Sequence, residues 1–178
     1  LLTGERAGYY ADFGSLAALA KCLERTFVLD GQLSAYRMRP HGRPASHLPR
    51  DRFVACLQDH DQVGNRPRGE RSARLLDPRR LKTGAALLLT SPFVPLLFQG
   101  EEWGASAPFP YFCDHRDAAL ARAVREGRRR ELSAFGWTPS DPVDPGALET
   151  FELAKLDWNE RAREPHASLL RWHRDLIR

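Results

Sequence analysis

FVACLQDHDQVGNR, at positions 53–66, and VPLLFQGEEWG, at positions 94–104, are the two stretches of sequence that decide the fold. Each begins with a short apolar run of the kind that forms a strand covered on both faces in a parallel sheet. In each, two acidic residues follow soon after the apolar run ends. Acidic side chains at the ends of neighbouring parallel strands are typical of active sites in α/β barrels. The two stretches therefore predict neighbouring strands with an acidic site at one edge.

The segments around these strands carry signals for helices. Ser15 is placed to cap a helix with a leucine-rich face, and Asp77-Pro78 supplies an N-cap and a first-turn proline for another that ends before Pro92. Residues 31–51 are rich in Gly, Pro, Arg and His, which predicts a long loop. The order helix, strand, helix, strand is the alternation of a parallel α/β fold.

A long insertion is predicted between the last strand and the last helix, over residues 99–164. It contains an aromatic and proline patch at 108–112, a charged helix at about 117–135 and a Pro/Gly/Asp-rich loop at 138–147. An insertion of this size is far above the usual loop length and would lie over the active-site face of a barrel. The last helix is predicted at 165–178, with an apolar side formed by Leu169, Trp172, His173, Leu176 and Ile177.

The composition favours one soluble globular domain and disfavours several classes of protein. The 178 residues are 42% hydrophobic and 28% charged, with no apolar run long enough to cross a membrane. The net charge of +4 comes mostly from arginines that are interleaved with acids, so we expect no nucleic-acid partner. The one basic cluster, Arg128-Arg129-Arg130, is predicted to be the solvated side of the insertion helix.

Three separated cysteines, Cys22, Cys56 and Cys113, argue against a disulfide framework or a structural zinc site. They fit a reducing compartment, and we expect a cytoplasmic protein. The chain starts at Leu1 rather than at Met and has no leader pattern, which suggests that it was cut from something longer.

The residues alone leave the first acidic stretch open to three interpretations. Asp61 at a strand end could stabilise the positive charge of an oxocarbenium-like transition state, while His60 binds a sugar hydroxyl. Asp59 and Asp61 could instead only cap a loop or turn. A metal site would require Asp59, His60 and Asp61 to converge through strong backbone curvature without a further histidine pair, so we expect no metal.

The second acidic stretch also has more than one possible interpretation. Gly100 lets the backbone turn sharply, so that Glu101 or Glu102 could reach the cleft. The alternative is a solvated acidic turn or an ion pair with Arg66 or Arg68. The nearby aromatic side chains could stack on sugar rings or belong to the core: Trp103, Phe109, Tyr111 and Phe112.

Several segments resemble motifs of the α-amylase superfamily of glycoside hydrolases. Asp59-His60-Asp61 and FQGEE at 98–102 are similar to that superfamily's motifs at the seventh and eighth barrel strands, and LLRWHRDLIR at 169–178 is similar to its last barrel helix. The resemblance implies an α/β fold, the C-terminal portion of a (β/α)8 TIM barrel covering about the last third, with the helical insertion after the last strand. Five further segments resemble the sequences of superfamily members that release trehalose from maltooligosyl trehalose. They lie at 4–13, 61–66, 100–104, 108–115 and 125–131.

The resemblance also implies roles for individual residues. Asp61 would stabilise the transition state of a retaining hydrolysis and His60 would bind the sugar. Asp59 stands where many members have Asn, so its role stays open. No cofactor is implied, and the expected partner is maltooligosyl trehalose or a related α-glucan. Further substrate contacts are expected from Gln62, Asn65, Arg66, Glu101, Glu102 and Trp103.

The same resemblance places the superfamily's nucleophilic Asp and general-acid Glu at the fourth and fifth strands, whereas this chain is expected to begin after the sixth. We therefore expect residues 1–178 to be a partial catalytic barrel that is inactive without the missing N-terminal half. The alternatives are another α-glucan enzyme, such as a branching enzyme or amylase, and a non-catalytic glucan-binding module.

Overall fold

The computed structural model describes residues 1–134 and 143–178, and it is an α/β arrangement dominated by helices. Within this part of the chain, no helix combines the length and apolarity that a membrane crossing requires. The strands are β1 (Leu33–Ser34), β2 (Arg39–Pro40), β3 (Val54–Cys56) and β4 (Val94–Leu96). The helices are α1 (Leu16–Arg25), α2 (His60–Gly64), α3 (Ser72–Leu75), α4 (Pro78–Leu89), α5 (Ala118–Ala134), α6 (Leu148–Leu153) and α7 (His166–Ile177).

β3 and β4 pair in parallel, which confirms the predicted strand alternation. Val54 pairs with Val94 and Cys56 with Leu96, and α4 lies between the two strands in the chain. α4 packs against α7, the last helix. Because the strands run in the same direction, the segments that follow Cys56 and Leu96 leave the sheet at one edge.

The side chains of this sheet are more exposed than their apolar character predicts. Val54 is 64% exposed, and its pair partner Val94 and neighbour Leu96 are also exposed. The expectation of strands covered on both faces is therefore wrong for the described residues. Apolar composition predicts that a strand can be covered, but cover requires a further layer of structure, which these two strands lack over that face.

The predicted helix starts are confirmed by their caps. The Ser15 hydroxyl accepts a hydrogen bond from the backbone N–H of Ala18 at 3.0 Å, which begins α1. The Asp77 carboxylate accepts from the backbone N–H groups of Arg79 and Arg80 at 2.9 and 3.0 Å, and Pro78 is the first residue of α4. Each cap satisfies backbone donors that the helix itself leaves without partners.

The predicted loop at 31–51 is wrong in part, because it contains the antiparallel hairpin β1–β2. The hairpin is held from outside by α1 and the segment before it. The Lys21 ammonium donates to the Val28 carbonyl at 2.7 Å and to the Asp30 carboxylate at 2.6 Å. The Asp12 carboxylate accepts from the Ser34 hydroxyl at 2.5 Å and from the Ala35 N–H at 2.6 Å. The Asp12 contacts join residues more than twenty positions apart, so the local Gly and Pro content could not predict them.

The predicted helices after β4 are present as α5 and α7. Asp117 caps α5, whose predicted end at Phe135 lies outside the described residues, as does part of the predicted loop at 138–147. Leu169 and His173 are buried on α7 as predicted, whereas Ile177 is exposed. Ile177 is the last residue of α7.

Gly42 in the hairpin segment is expected to tolerate no side chain. Its φ is +78°, and a Cβ atom there would lie 1.9 Å from the Leu29 carbonyl oxygen. Gly4 has the same φ of +78° with no atom within 4 Å of its Cβ position. Gly4→Ala should therefore lower the free energy of unfolding by about 1–2 kcal/mol from backbone strain alone, and Gly42→Ala by clearly more. Urea unfolding of the two variants measures the difference, and equal losses would contradict the predicted clash.

Candidate active site

Two acidic segments meet at the edge where the parallel strands end. The first follows β3 and continues into α2, and the second follows β4 as a 3-10 turn at Glu101–Trp103. Gly100 has a φ of +81°, which confirms the predicted sharp turn before this segment. Gln58 lies near both segments: its side-chain oxygen accepts from the backbone N–H of Ser72 at 2.9 Å, and its side chain lowers the pKa of Glu101.

Asp59 has a structural role as the N-cap of α2. Its carboxylate accepts a hydrogen bond from the backbone N–H of Gln62 at 2.7 Å. The capping interpretation is therefore correct for Asp59, and an Asn at this position could accept the same bond. The cap fixes the direction in which α2 leaves the strand and so places the residues of its first turn.

His60 and Asp61 form an exposed acid–imidazole pair in that first turn. Their side chains are 70% and 77% exposed, and the His60 Nε2 lies 3.4 Å from the Asp61 Oδ1. An exposed carboxylate next to an imidazole can face a developing positive charge while the ring hydrogen-bonds a hydroxyl. No group of three or more acidic, histidine or cysteine side chains in the described ranges is arranged to hold a metal ion.

Glu101 is buried, in contrast to the exposed pair. Glu101 is 5% exposed, and its carboxylate accepts a hydrogen bond from the Phe98 N–H at 3.3 Å. Burial raises the pKa of Glu101 to about 7, and the Glu102 carboxylate acts in the same direction. The hydrogen bonds from Phe98 and Gln58 and the charge of Arg71 lower this pKa but do not offset burial. Direct substrate contact is therefore incompatible with the position of Glu101, whereas Glu102 is half-buried.

Arg66 pairs with acidic residues outside this turn. Its guanidinium lies 3.0 Å from the Glu5 carboxylate, near the start of the chain, and 3.9 Å from Glu70. The Gln62 and Asn65 side chains are exposed. Of the residues expected to contact substrate, Arg66 thus holds the N-terminal segment against the end of α2.

Arg71 is a buried residue that the sequence did not single out. Its Nε donates to the Ala107 carbonyl and its Nη1 to the Gln99 carbonyl, both at 2.6 Å. The guanidinium also lies 4.8 Å from the centre of the Phe98 ring. Burial lowers the pKa of Arg71, and the charge of Glu101 opposes that shift. Nothing in its local sequence distinguishes Arg71 from the other arginines, since each of its partners is more than twenty-five positions away.

The aromatic residues are divided between core and surface. Trp103 is buried, with its ring 5.2 Å from the Trp158 ring, so the core interpretation holds and sugar stacking by Trp103 is not possible in this conformation. Phe109 contacts the rings of Phe98 and Phe112 at 5.2 and 5.6 Å. Tyr111 is exposed.

α5 is attached to the end of α2 by Arg128, which was predicted to be solvated. The Arg128 side chain is only 16% exposed. It donates to the Gly64 carbonyl and to the Asn65 side-chain oxygen, both at 2.9 Å, and pairs with Glu131 at 2.7 Å. The solvated interpretation is therefore wrong for Arg128, whereas Arg129 and its neighbour Arg130 are exposed. A run of like charges cannot reveal which member turns inward.

Comparison with known proteins gives closely similar relatives. The chain is 48% identical over 177 residues to the malto-oligosyltrehalose trehalohydrolase of Arthrobacter ramosus, covering 99% of this chain and 31% of that protein. It is 46% identical over 178 residues to the protein of the same name from Mycobacterium tuberculosis H37Rv, again covering 99% and 31%. A 1.4 Å crystal structure assigned as an alpha amylase from Salmonella typhimurium matches with a TM-score of 0.89 and 41% identity, covering 99% of this chain and 30% of that one. No protein-family model matches.

Fold and sequence together define the class, the α-amylase family. Within that class the chain belongs to the malto-oligosyltrehalose trehalohydrolase family. It spans about 30% of the length of the curated relatives it matches.

Glu101 is expected to make stability depend on pH near neutrality. Its pKa rises from an ordinary value of 4.5 to about 7 on folding, so the folded state holds the proton more tightly. Stability should fall as the pH rises from about 4.5 to about 7, with a total loss of about 3 kcal/mol. Glu101→Gln, which cannot ionise, should remove most of this loss. Urea unfolding at about pH 5 and about pH 8 measures it, and Glu102→Gln is the matched control, expected to retain the pH dependence.

Proposed function

We propose that the chain contributes to a retaining glycoside hydrolase that cleaves the α-1,4 bond next to the terminal trehalose of maltooligosyl trehalose and releases trehalose. The observation that carries this proposal is the close identity, along nearly the whole chain, to relatives with that name. The exposed Asp61 and His60 at the carboxyl end of a parallel strand give the proposal a site.

In this proposal residues 1–178 are the C-terminal portion of a (β/α)8 barrel. β3 and β4 correspond to its seventh and eighth strands, and residues 99–164 are an insertion over the active-site face. The exposed apolar side chains of Val54, Val94 and Leu96 support this placement, because a parallel sheet is normally covered on both faces. The rest of the barrel would supply that cover. All three cysteines are unpaired, in keeping with the cytoplasmic location that we propose.

The proposed chemistry assigns different tasks to exposed and buried residues. Asp61 stabilises the positive charge that develops on the sugar ring, and His60 holds a hydroxyl of the same sugar. Gln62, Asn65 and Glu102 are placed to make further polar contacts with the glucan. Glu101, Trp103 and Arg66 act as supports for this edge, because burial or ion pairing already occupies them.

We predict that the purified 178-residue chain releases no trehalose from maltooligosyl trehalose. The nucleophile and general acid implied by the family resemblance belong to two other barrel strands, and a carboxylate that stabilises charge cannot replace them. Trehalose is measured by chromatography after prolonged incubation with the chain. Release at a rate typical of the family would contradict this part of the proposal.

Restoring the remainder of the barrel tests Asp61 directly. The homologous segment of the Arthrobacter ramosus relative is replaced by this chain, and the chimera is expected to release trehalose. Asp61→Asn in the chimera should lower kcat by about a hundredfold or more, because it removes a charge that acts in the transition state.

The matched control is Asp59→Asn, two positions earlier. Asn caps a helix as well as Asp does, so kcat should stay within about twofold of the unmodified chimera. A folded chimera without activity would contradict the proposed function. Equal losses from the two substitutions would contradict the role of Asp61.

A second candidate function is hydrolysis of plain α-glucans, favoured by the likeness to the Salmonella structure. Chimera activity on plain maltodextrin that equals or exceeds activity on the trehalose-capped substrate would favour this candidate. Glucan binding without turnover by a folded chimera would favour a binding module.

A further inference from the structure

Tyr111 differs from the other aromatic residues near the acidic edge because its ring is exposed. It is 40% exposed, whereas Trp103 is buried and Phe109 and Phe112 are engaged in ring–ring contacts. Phe112 also contacts Phe151, at 5.4 Å between ring centres. Of the four aromatic residues considered for sugar stacking, the structure therefore leaves Tyr111 with a surface that a ligand can reach.

The Tyr111 ring is fixed in place from three directions. Its backbone lies against Gly64, where a Cβ atom would be 3.7 Å from the Tyr111 nitrogen. The Arg128 guanidinium lies 5.0 Å from the ring centre and also donates to the Gly64 carbonyl and the Asn65 side chain. Burial raises the pKa of the Cys113 thiol, and the neighbouring Tyr111 phenol acts in the opposite direction. A ring held in this way loses little conformational freedom when a ligand covers it.

We infer that Tyr111, supported by Arg128, is a binding platform for a pyranose ring of an α-glucan, next to the Asp61 site. This inference rests on the proposed function and adds a subsite to it. Gly64 follows Asp61 by three residues in α2, which is about 5 Å along the helix axis. A sugar on Tyr111 and a sugar at Asp61 could therefore belong to one short chain.

The surroundings of Tyr111 favour a sugar over an apolar ligand. The side chains next to the ring are polar: Arg128 pairs with Glu131, and Asn65 accepts from Arg128. An aromatic face bordered by hydrogen-bonding groups matches a pyranose, which has C–H groups on its face and hydroxyls at its rim.

Maltoheptaose binding to the 178-residue chain tests the platform, with isothermal titration calorimetry for affinity and saturation-transfer NMR for the contact. Tyr111→Ala should weaken binding by about tenfold or more, as for other anchoring aromatic side chains. Tyr111→Phe, which keeps the ring, should retain most of the affinity. Tyr36→Ala is the matched control, because it removes a similarly exposed tyrosine from the hairpin segment and should change nothing.

The supporting role of Arg128 is tested in the same assay. Arg128→Ala should weaken maltoheptaose binding, whereas Arg129→Ala, which removes the neighbouring exposed arginine, should not. Circular dichroism and urea unfolding of each variant show that it is folded. Absence of maltoheptaose binding, or binding that Tyr111→Ala leaves unchanged, overturns the platform.

The same measurements separate this inference from the proposed function. Tyr111-dependent binding of maltoheptaose by the chain, together with a folded but inactive chimera, would support the platform and overturn the trehalose-releasing activity. An active chimera whose KM is unaffected by Tyr111→Ala would support the activity and overturn the platform. Loss in the platform variant should appear in KM rather than in kcat, because Tyr111 binds the ground state and the transition state alike.

Discussion

The buried guanidinium of Arg71 is the constraint on which the acidic edge depends. Removing a cation from water is costly unless its N–H groups find acceptors. The carbonyls of Gln99 and Ala107 accept hydrogen bonds from Nη1 and Nε, whereas the buried Nη2 has no hydrogen-bond partner among the described residues. The charge of the Glu101 carboxyl favours the charged guanidinium. These contacts join the start of α3 to the segment that follows β4. Arg71 therefore binds the backbone on both sides of the Gly100 turn.

The edge consequently has two layers with different properties. In the buried layer, Glu101 and Gln58 lie between the segments that follow β3 and β4, and both residues are buried. In the exposed layer, Asp61 and His60 are accessible to solvent on α2, whose start is fixed by the Asp59 cap. The supporting layer is polar, so a shift in its hydrogen bonds would alter where α2 begins. Glu101 can therefore affect the position of Asp61 and His60 without contacting a ligand.

The sequence was most predictive where structure depends on neighbours in the chain. The caps at Ser15 and Asp77 and the parallel strands follow from residue spacing and local preference. It was least predictive where a side chain meets a distant segment. Arg128 contacts Gly64 more than sixty positions away, and nothing in its run of three arginines marks it. Asp59, Asp61 and Glu101 were comparable candidates in the sequence, and only their surroundings separate a cap, an exposed carboxylate and a buried acid.

The raised pKa of Glu101 has a calorimetric consequence. Near pH 6 the folded chain keeps this proton, whereas the unfolded chain has released most of it, so folding takes up a proton from the buffer. The enthalpy measured for unfolding then includes the heat with which the buffer binds that proton. Two buffers of unequal ionisation enthalpy would give different apparent enthalpies for the same transition. An unfolding enthalpy measured in a single buffer would therefore include the buffer's protonation enthalpy, which could be mistaken for a contribution from protein packing.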